Sequence, residues 1–136
     1  MMFLGEFQQN ITEGCRLALP KKIREKIAGM DVILSKGFEK CIFGYAPSDW
    51  EVESLKQLGS PISDARSRNL KRYMYSGASE VAMDRQGRFV LPGNLKSYAG
   101  INEKAVVLGA GDHFEIWEES VWTENLKKIE REVTNE

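Results

Sequence analysis

The feature that most constrains this chain is an internal repeat. One segment ends in Arg16-Leu17-Ala18-Leu19-Pro20, and a second, related segment ends in Arg88-Phe89-Val90-Leu91-Pro92. A constant numbering offset of 72 aligns the two arginines and also pairs Gly5 with Gly77 and Trp50 with Trp122. A second offset, of 74, aligns Val32-Ile33-Leu34 with Val106-Val107-Leu108. So many apolar and turn residues in register indicate one ancestral unit present twice.

Each unit is predicted to have the order β-β-α-β-β, because short alternating segments are separated by turn residues and one short helix begins after each proline. A unit of four short strands has open edges and little core, so we expect two units to close each other's edges into one small barrel. The expected elements are Phe3–Ile11, Arg16–Leu19, Lys21–Ala28 (helix), Asp31–Ser35 and Cys41–Tyr45, then Tyr75–Met83, Arg88–Leu91, Asn94–Ala99 (helix), Lys104–Leu108 and His113–Trp117.

Three further helices are expected between and after the units. One begins at Pro47-Ser48, where Ser48 and Glu51 have the spacing of a capping box, and Trp50, Leu55 and Leu58 form its apolar face. A second spans Ile62 to Met74 with Ser63 as its N-cap, and a third spans Ser120 to Val133. The fold class is therefore mixed α+β and rich in strands. We expect a first repeat with its trailing helix in residues 1–58, a connecting helix in 59–74 and a second repeat with its helix in 75–136, forming one intertwined domain.

Composition and charge limit the possible functions. Cys15 and Cys41 are too few for a disulfide framework, and neither a signal peptide nor a membrane span is evident, so we expect a cytoplasmic protein without a membrane partner. The net charge of −1 hides a segregation, since residues 61–96 hold 7 basic and 3 acidic side chains while residues 97–136 hold 4 and 9. Segregated charge leaves a nucleic-acid interface possible.

The second repeated turn, Asp84-Arg85-Gln86-Gly87-Arg88, has the length of a three-residue hairpin loop in which Gly87 supplies the left-handed residue. Asp84 is placed to accept backbone hydrogen bonds and to pair with Arg88. One interpretation is purely structural, because aspartate and glycine are the residues that any turn prefers. The other is that the turn presents its arginine to a ligand.

These segments resemble the MraZ family. The resemblance covers the whole chain and rests on Gly5-Glu6-Phe7, on the two Leu-Pro exits, and on the family signature Asp-x-x-x-Arg at Asp84 and Arg88. It implies a duplicated swapped-hairpin barrel of the AbrB type. It also implies a bacterial transcriptional regulator, repressor-like and nucleoid-associated, that acts on division and cell-wall genes. Family members form rings and contact direct repeats in promoter DNA, and they need no cofactor or small-molecule substrate.

Carried over to matching positions, the resemblance makes Arg16 and Arg88 the DNA-contacting residues. A guanidinium suits this role, because its planar fork binds phosphate or a guanine edge with two hydrogen bonds. The first copy departs from the pattern, since Thr12 replaces the aspartate, Gly14 comes one place early and Cys15 stands at the glycine position. Thr12 and Gly14 are therefore expected to give this turn another shape. Arg16 is either freer to reach a phosphate or part of a weakened reader.

Basic residues near the turns are candidate phosphate contacts, against the alternative of a solvated helix face. They are Arg85, Lys21, Lys22 and Arg24, and, less directly, Arg66, Arg68, Lys71 and Arg72 on the connecting helix.

Other functions have less support from the sequence. For an enzyme, Cys15 is the best nucleophile because Arg16 could lower the pKa of its thiol, but His113 has no evident acidic partner and no metal or phosphate-loop motif occurs. A barrel-type oligomeric interaction module that has lost DNA binding is the main alternative, with Trp50, Trp122, Phe43 and Trp117 as possible subunit surfaces. An AbrB-type antitoxin is a third possibility.

Overall fold

The computed structural model describes residues 2–135, and these form eight strands and five helices. The strands are β1 (Glu6–Asn10), β2 (Arg16–Ala18), β3 (Asp31–Lys36), β4 (Ile42–Tyr45), β5 (Ser79–Ala82), β6 (Arg88–Val90), β7 (Lys104–Gly109) and β8 (Phe114–Glu118). The helices are α1 (Lys21–Arg24), α2 (Pro47–Leu58), α3 (Ala65–Ser76), α4 (Gly93–Ala99) and α5 (Glu119–Thr134). No helix within residues 2–135 combines the length and the apolar character that crossing a bilayer requires.

The strands confirm the repeat but correct one of its offsets. Gln8 pairs with Val106 in β1–β7, and Glu80 pairs with Ile33 in β5–β3. Since Gln8 and Glu80 are counterparts at the offset of 72, Ile33 rather than Val32 is the counterpart of Val106, and the offset there is 73. The predicted offset of 74 was wrong by one position, because both segments are runs of apolar residues that align equally well at 73 and at 74. Four further pairs of elements start at the offset of 72, namely β2 and β6, α1 and α4, β4 and β8, and α2 and α5.

Strands from the two units are interleaved. Six of them form one antiparallel sheet in the order β1-β7-β8-β4-β3-β5, and β2 pairs with β6 in a separate two-stranded ribbon. Each edge strand of the large sheet therefore pairs with a strand of the other unit. This corrects the expectation that β2 is the return strand of a β1 hairpin, because only the tip of that hairpin closes, through a bridge between Thr12 and Arg16.

The two faces of the large sheet bury two apolar clusters. The larger cluster includes Leu34, Val107, Ile116 and Phe114 together with Leu17 and Phe89 of the ribbon. Gly44 lies in this sheet directly opposite Phe114, whose ring occupies the space that a β-carbon at Gly44 would need. The smaller cluster, on the other face, comprises Cys41, Phe43, Tyr45, Val106, Leu108 and Trp117, with the half-buried Trp50 and Trp122 packed against it.

Several helix boundaries differ from expectation. Helix α1 ends at Arg24 rather than Ala28, because Lys26 and Ile27 donate three residues back, to Ile23 and Arg24, and the helix gives way to turns. Its apolar pair Ile23 and Ile27 is buried as predicted. Helix α4 ends at Ala99 and is capped by Gly100, which was predicted to end it; Gly100 is left-handed.

The capping box at Ser48 does not form, since Pro47 is already the first helical residue and Ala46 takes the cap position without a side-chain bond. Leu55, expected on the buried face of α2, is 62% exposed.

Helix α3 begins later than predicted. Its N-cap is Asp64 rather than Ser63, and the Asp64 carboxylate accepts from the backbone N–H of Arg66. The helix runs to Ser76, so Tyr75 is helical and not the start of a strand.

Candidate nucleic-acid interface

The β2–β6 ribbon has a local two-fold symmetry that the repeat predicts. Leu17 pairs with its own counterpart Phe89, while Arg16 pairs with Val90 and Ala18 with Arg88. Because side chains alternate along a strand, Leu17 and Phe89 point together into the core, and both are buried. Arg16 and Arg88 are exposed on the opposite face. They occupy diagonal positions, which places their Cα atoms roughly 7–8 Å apart.

The second turn holds Arg88 in a fixed orientation. The backbone N–H of Asp84 donates to the carbonyl of Arg88 (2.8 Å), that of Gly87 donates to the carbonyl of Asp84 (3.0 Å), and Gly87 is left-handed with φ +76°. The Asp84 carboxylate accepts from the N–H groups of Gln86 and Arg88 and from Arg88 Nε (2.8 Å). The backbone bond from Arg88, with the other bonds, lowers the pKa of Asp84. The three-residue loop and the ion pair are both as predicted.

The first turn has a different shape, as its sequence predicted. Gly14 and Cys15 are both left-handed, with φ +80° and +58°, whereas the second turn has only Gly87 in that region. Thr12 Oγ1 donates to the carbonyl of Arg16 (3.3 Å) and offers no ion pair. Arg16 Nη1 instead donates to the carbonyl of Glu13 (3.2 Å), so Arg16 folds back over its own turn.

Both turns line one open concavity of about 910 Å³. Its lining includes Arg16 and Arg88 with Val90, and it also includes the acidic side chains Glu13 and Asp84. The structure thus brings the two signature arginines to a single surface. The remaining lining residues are Thr12, Gly14, Ala82, Met83 and Phe89.

The supporting basic residues are placed unequally. Arg85 is exposed within the second turn. Arg24 packs over Gly87, where a β-carbon would collide with its guanidinium, so an arginine of the first unit covers the turn of the second. Lys21 and Lys22 are exposed, but neither lines the concavity, and Lys22 belongs to a different groove beside Phe7.

Two basic residues of α3 bond the segment that precedes the helix, and a third bonds a side chain within it. Arg68 donates to the carbonyl of Ile62, Lys71 donates to that of Ser60, and Arg72 bonds the Asn69 side chain. Three of the four basic residues on this helix therefore bond nearby groups of the same chain, which favours a structural role for them.

Sequence reasoning missed a largely buried polar cluster around His113, which was expected to lack an acidic partner. That expectation was wrong. His113 Nε2 lies 2.7 Å from a Glu115 oxygen, and Nδ1 lies 2.7 Å from an Asp112 oxygen. Glu115 also accepts from the Trp117 indole N–H (2.8 Å). The alternation of His113, just before β8, with Glu115 and Trp117 in β8 was the available signal, because it places all three on one face.

The candidates for an enzyme do not assemble into a site. Cys15 lies in the first turn of the ribbon, while His113 lies on the large sheet and stacks on Tyr45 (5.4 Å between ring centres). Within residues 2–135, no three histidine, cysteine or carboxylate side chains converge as a metal site would require.

Comparison with known proteins gives the same family twice. The family model described as "MraZ protein, putative antitoxin-like" matches residues 2–73 and again residues 74–136. A protein of Syntrophomonas wolfei named transcriptional regulator MraZ is 42% identical over 90% of this chain and 85% of its own length. Proteins of the same name from a Roseiflexus species and from Moorella thermoacetica are each 38% identical, over 95% and 93% of this chain and 90% and 88% of their own lengths.

Among solved structures, the solution structure of PHS018 from Pyrococcus horikoshii aligns with this chain. The alignment covers 84% of this chain and 96% of the PHS018 chain. It has a TM-score of 0.36 and 16% identity, a likeness too low to bear on the function.

Proposed function

Because this chain belongs to the MraZ family, we propose that it is a DNA-binding transcriptional regulator whose β2–β6 ribbon contacts promoter DNA. The observation that carries the proposal is the pair of exposed arginines on one face of a ribbon whose other face is fixed in the core. A two-stranded ribbon is narrow enough to enter the major groove of DNA, about 12 Å wide. There, a guanidinium can hydrogen-bond a guanine edge or a phosphate.

The two arginines have unequal roles in this proposal. Asp84 holds Arg88 through Nε alone, so the Nη groups remain available for a bidentate contact. Arg16 has to give up its bond to the Glu13 carbonyl before it can do the same. Arg88 is therefore the principal reader and Arg16 the secondary one, with Arg85 supplying a phosphate contact.

The remaining features of the proposal follow the resemblance to the family. The two units form one AbrB-type swapped-hairpin barrel, divided as residues 1–58, 59–74 and 75–136, and the chain assembles with itself into a ring. A ring presents the same ribbon repeatedly along direct repeats in promoter DNA, which raises the effective concentration of each weak contact. The regulated genes are those of division and cell-wall synthesis, and regulation is repressor-like.

The test compares binding of wild type, Arg88→Ala and Arg16→Ala to the DNA upstream of the chain's own gene, at several salt concentrations. We expect Arg88→Ala to weaken binding by roughly 10- to 100-fold, the usual effect of one bidentate contact, and Arg16→Ala to weaken it less. Arg131→Ala on α5 is the matched control and should bind like wild type. Equal binding by all variants would show that Arg16 and Arg88 do not contact the DNA. The absence of any salt-dependent shift would favour an interaction module without DNA binding.

A further inference from the structure

The exposed face of the β2–β6 ribbon carries two apolar side chains beside its two arginines. Arg16 stands directly opposite Val90, and Arg88 stands directly opposite Ala18. At the offset of 72, Ala18 and Val90 are counterparts, as the two arginines are. The two apolar positions differ, because Ala18 is half-buried whereas Val90 retains 53% of its accessible surface. Val90 also lines the concavity together with both arginines.

The strand pairing places Val90 close to both arginines. The backbone N–H of Leu91 donates to the carbonyl of Cys15 (2.9 Å), so these two residues form a hydrogen-bonded pair of the ladder. Since the two kinds of pair alternate along antiparallel strands, Arg16 and Val90 form a non-hydrogen-bonded pair, with Cα atoms about 4.5 Å apart. Arg88 lies two residues before Val90 on the same strand, about 7 Å away. A ligand group that touches either arginine therefore lies within reach of Val90.

Packing within the chain does not account for the side chain of Val90. A β-branched residue suits a strand, but Val90 points to the face opposite the buried Phe89 and so adds nothing to the core. Its isopropyl group gains only when another surface displaces the water around it. In the proposed function, on which this inference rests, that surface is the major groove of DNA.

The major groove displays one apolar group among its base edges, the 5-methyl group of thymine. Guanine presents two acceptors, cytosine presents a donor, and adenine presents one acceptor and one donor. A valine side chain has neither a donor nor an acceptor. It therefore packs favourably on the thymine methyl group, whereas against another base it removes water from a polar edge without replacing the hydrogen bond.

We propose that Val90 is a specificity-determining residue that packs on the 5-methyl group of a thymine beside a guanine contacted by an arginine of the ribbon. Successive bases on one strand lie about 3.4 Å apart along the helix axis, so the distances from Val90 to the arginines match one or two base steps. Ala18 is shorter and half-buried, so it does not reach the groove in the same way. The two halves of the ribbon thus read different bases, although the repeat makes their arginines equivalent.

The test removes the methyl group from the DNA. In the segment that wild type binds upstream of the chain's own gene, each thymine is replaced in turn by uracil, which lacks the 5-methyl group and still pairs with adenine. Fluorescence anisotropy at one salt concentration gives the affinity of each duplex for wild type and for Val90→Ala. Val52→Ala, at a residue that is also 53% exposed but lies on α2, is the matched control. Circular dichroism checks the folding of each variant.

We expect uracil at one position to weaken binding by wild type and by Val52→Ala about 3- to 5-fold, the effect of losing one buried methyl group. Val90→Ala should bind the unmodified duplex more weakly by about the same factor. The same uracil should weaken Val90→Ala no further, because the methyl group has already lost its partner. This non-additivity identifies a direct contact between the side chain and the base.

Two results would overturn the inference and leave the proposed function in place. In the first, Val90→Ala binds the unmodified duplex as tightly as wild type. In the second, Val90→Ala binds more weakly, but every uracil substitution has the same effect on it as on wild type, which would mean that the valine touches DNA without reading a methyl group. Arg88→Ala, measured on the same duplexes, separates these results from a failure of the proposed function. If Arg88→Ala also binds like wild type, the ribbon does not lie on the DNA, and the inference falls with the proposed function.

Discussion

At the scale of single residues, the two repeated turns show how one aspartate changes the availability of an arginine. In the second turn, the carboxylate of Asp84 accepts two backbone N–H groups and Arg88 Nε, so the turn and its arginine are ordered together. Thr12 cannot accept an ion pair, and Arg16 Nη1 turns to the carbonyl of Glu13 instead. Both turns contain the arginine, but only the second turn fixes its side chain through an ion pair.

The first turn also carries strain that one substitution should relieve. Cys15 stands at φ +58°, where its counterpart Gly87 stands at +76°, and a residue with a β-carbon is disfavoured by about 1 kcal/mol in that region. Cys15→Gly should therefore raise the free energy of unfolding by roughly 0.5–1 kcal/mol, measured as a higher urea midpoint at an unchanged slope.

The matched reverse change is Gly87→Ala. A β-carbon at Gly87 meets the side chain of Arg24 as well as the unfavourable φ, so this variant should lose about 1 kcal/mol or more. If Cys15→Gly is no more stable than wild type, the left-handed conformation of Cys15 costs the fold nothing.

At the scale of elements, strand β8 and the two residues before it place the polar side chains of Asp112, His113 and Glu115 beside the smaller apolar cluster. His113 stacks on Tyr45 and lies against the tilted ring of Phe43. Both its ring nitrogens face carboxylates, an arrangement that the imidazolium form satisfies. Burial alone lowers the pKa of His113, but the bonds to Glu115 and Asp112 raise it overall above its ordinary value. Burial, with Glu115, raises the pKa of the neighbouring Cys41 thiol, which leaves Cys41 an uncharged donor to that carboxylate.

The raised pKa of His113 makes the stability of the fold depend on pH, and the direction of the shift gives the sign. A group whose pKa is higher in the folded chain adds its full stability below the unfolded pKa of about 6.5 and loses it as the pH rises through the folded pKa. Wild type should thus lose unfolding free energy as the pH rises from 6 to 8.5, and His113→Gln should lose much less over that range. Urea unfolding at the two pH values measures both. Equal losses in the two proteins would show that His113 does not titrate with folding.

Which elements could be predicted from the sequence depended on the range of the interactions that form them. Helix α4, with Gly100 at its end, and the hairpin of β7 and β8 follow from local turn and cap residues. The pairing of β2 with β6 joins one unit to the other across about half of the chain, and no local pattern specifies a partner at that distance. The capping box failed for a local reason, because Pro47 already supplied the first helical residue and Ser48 was no longer at the cap.

The candidate site was predictable in part for the same reason. The loop of Asp84, Gly87 and Arg88 is closed by hydrogen bonds between residues close in sequence, so its geometry could be predicted from the sequence. Its position beside Arg16 and under Arg24 depends on strands and helices of the other unit, which only the folded chain brings together. The separation of Lys22 from the concavity has the same origin.

At the scale of the whole molecule, interleaved strands make each unit dependent on the other. Strand β1 finds its partner in β7 and strand β5 finds its partner in β3, so neither unit on its own can complete the large sheet. Leu17 and Phe89 meet at the centre of the ribbon and bury their side chains in the common core. Loss of either unit would expose this core, which supports our proposal that the chain is one domain.

The dependence can be tested at Phe89. Phe89→Ala removes a buried ring at the junction of the units and should lower the free energy of unfolding by about 3–5 kcal/mol. Val90→Ala, the next residue on the same strand and 53% exposed, is the matched control and should change it by less than about 0.5 kcal/mol. Because the units share one core, circular dichroism and tryptophan fluorescence should report a single coincident transition in urea for wild type and both variants. Two separate transitions, or a Phe89→Ala variant that loses structure in the second unit alone, would show that the units are independent domains despite their interleaved strands.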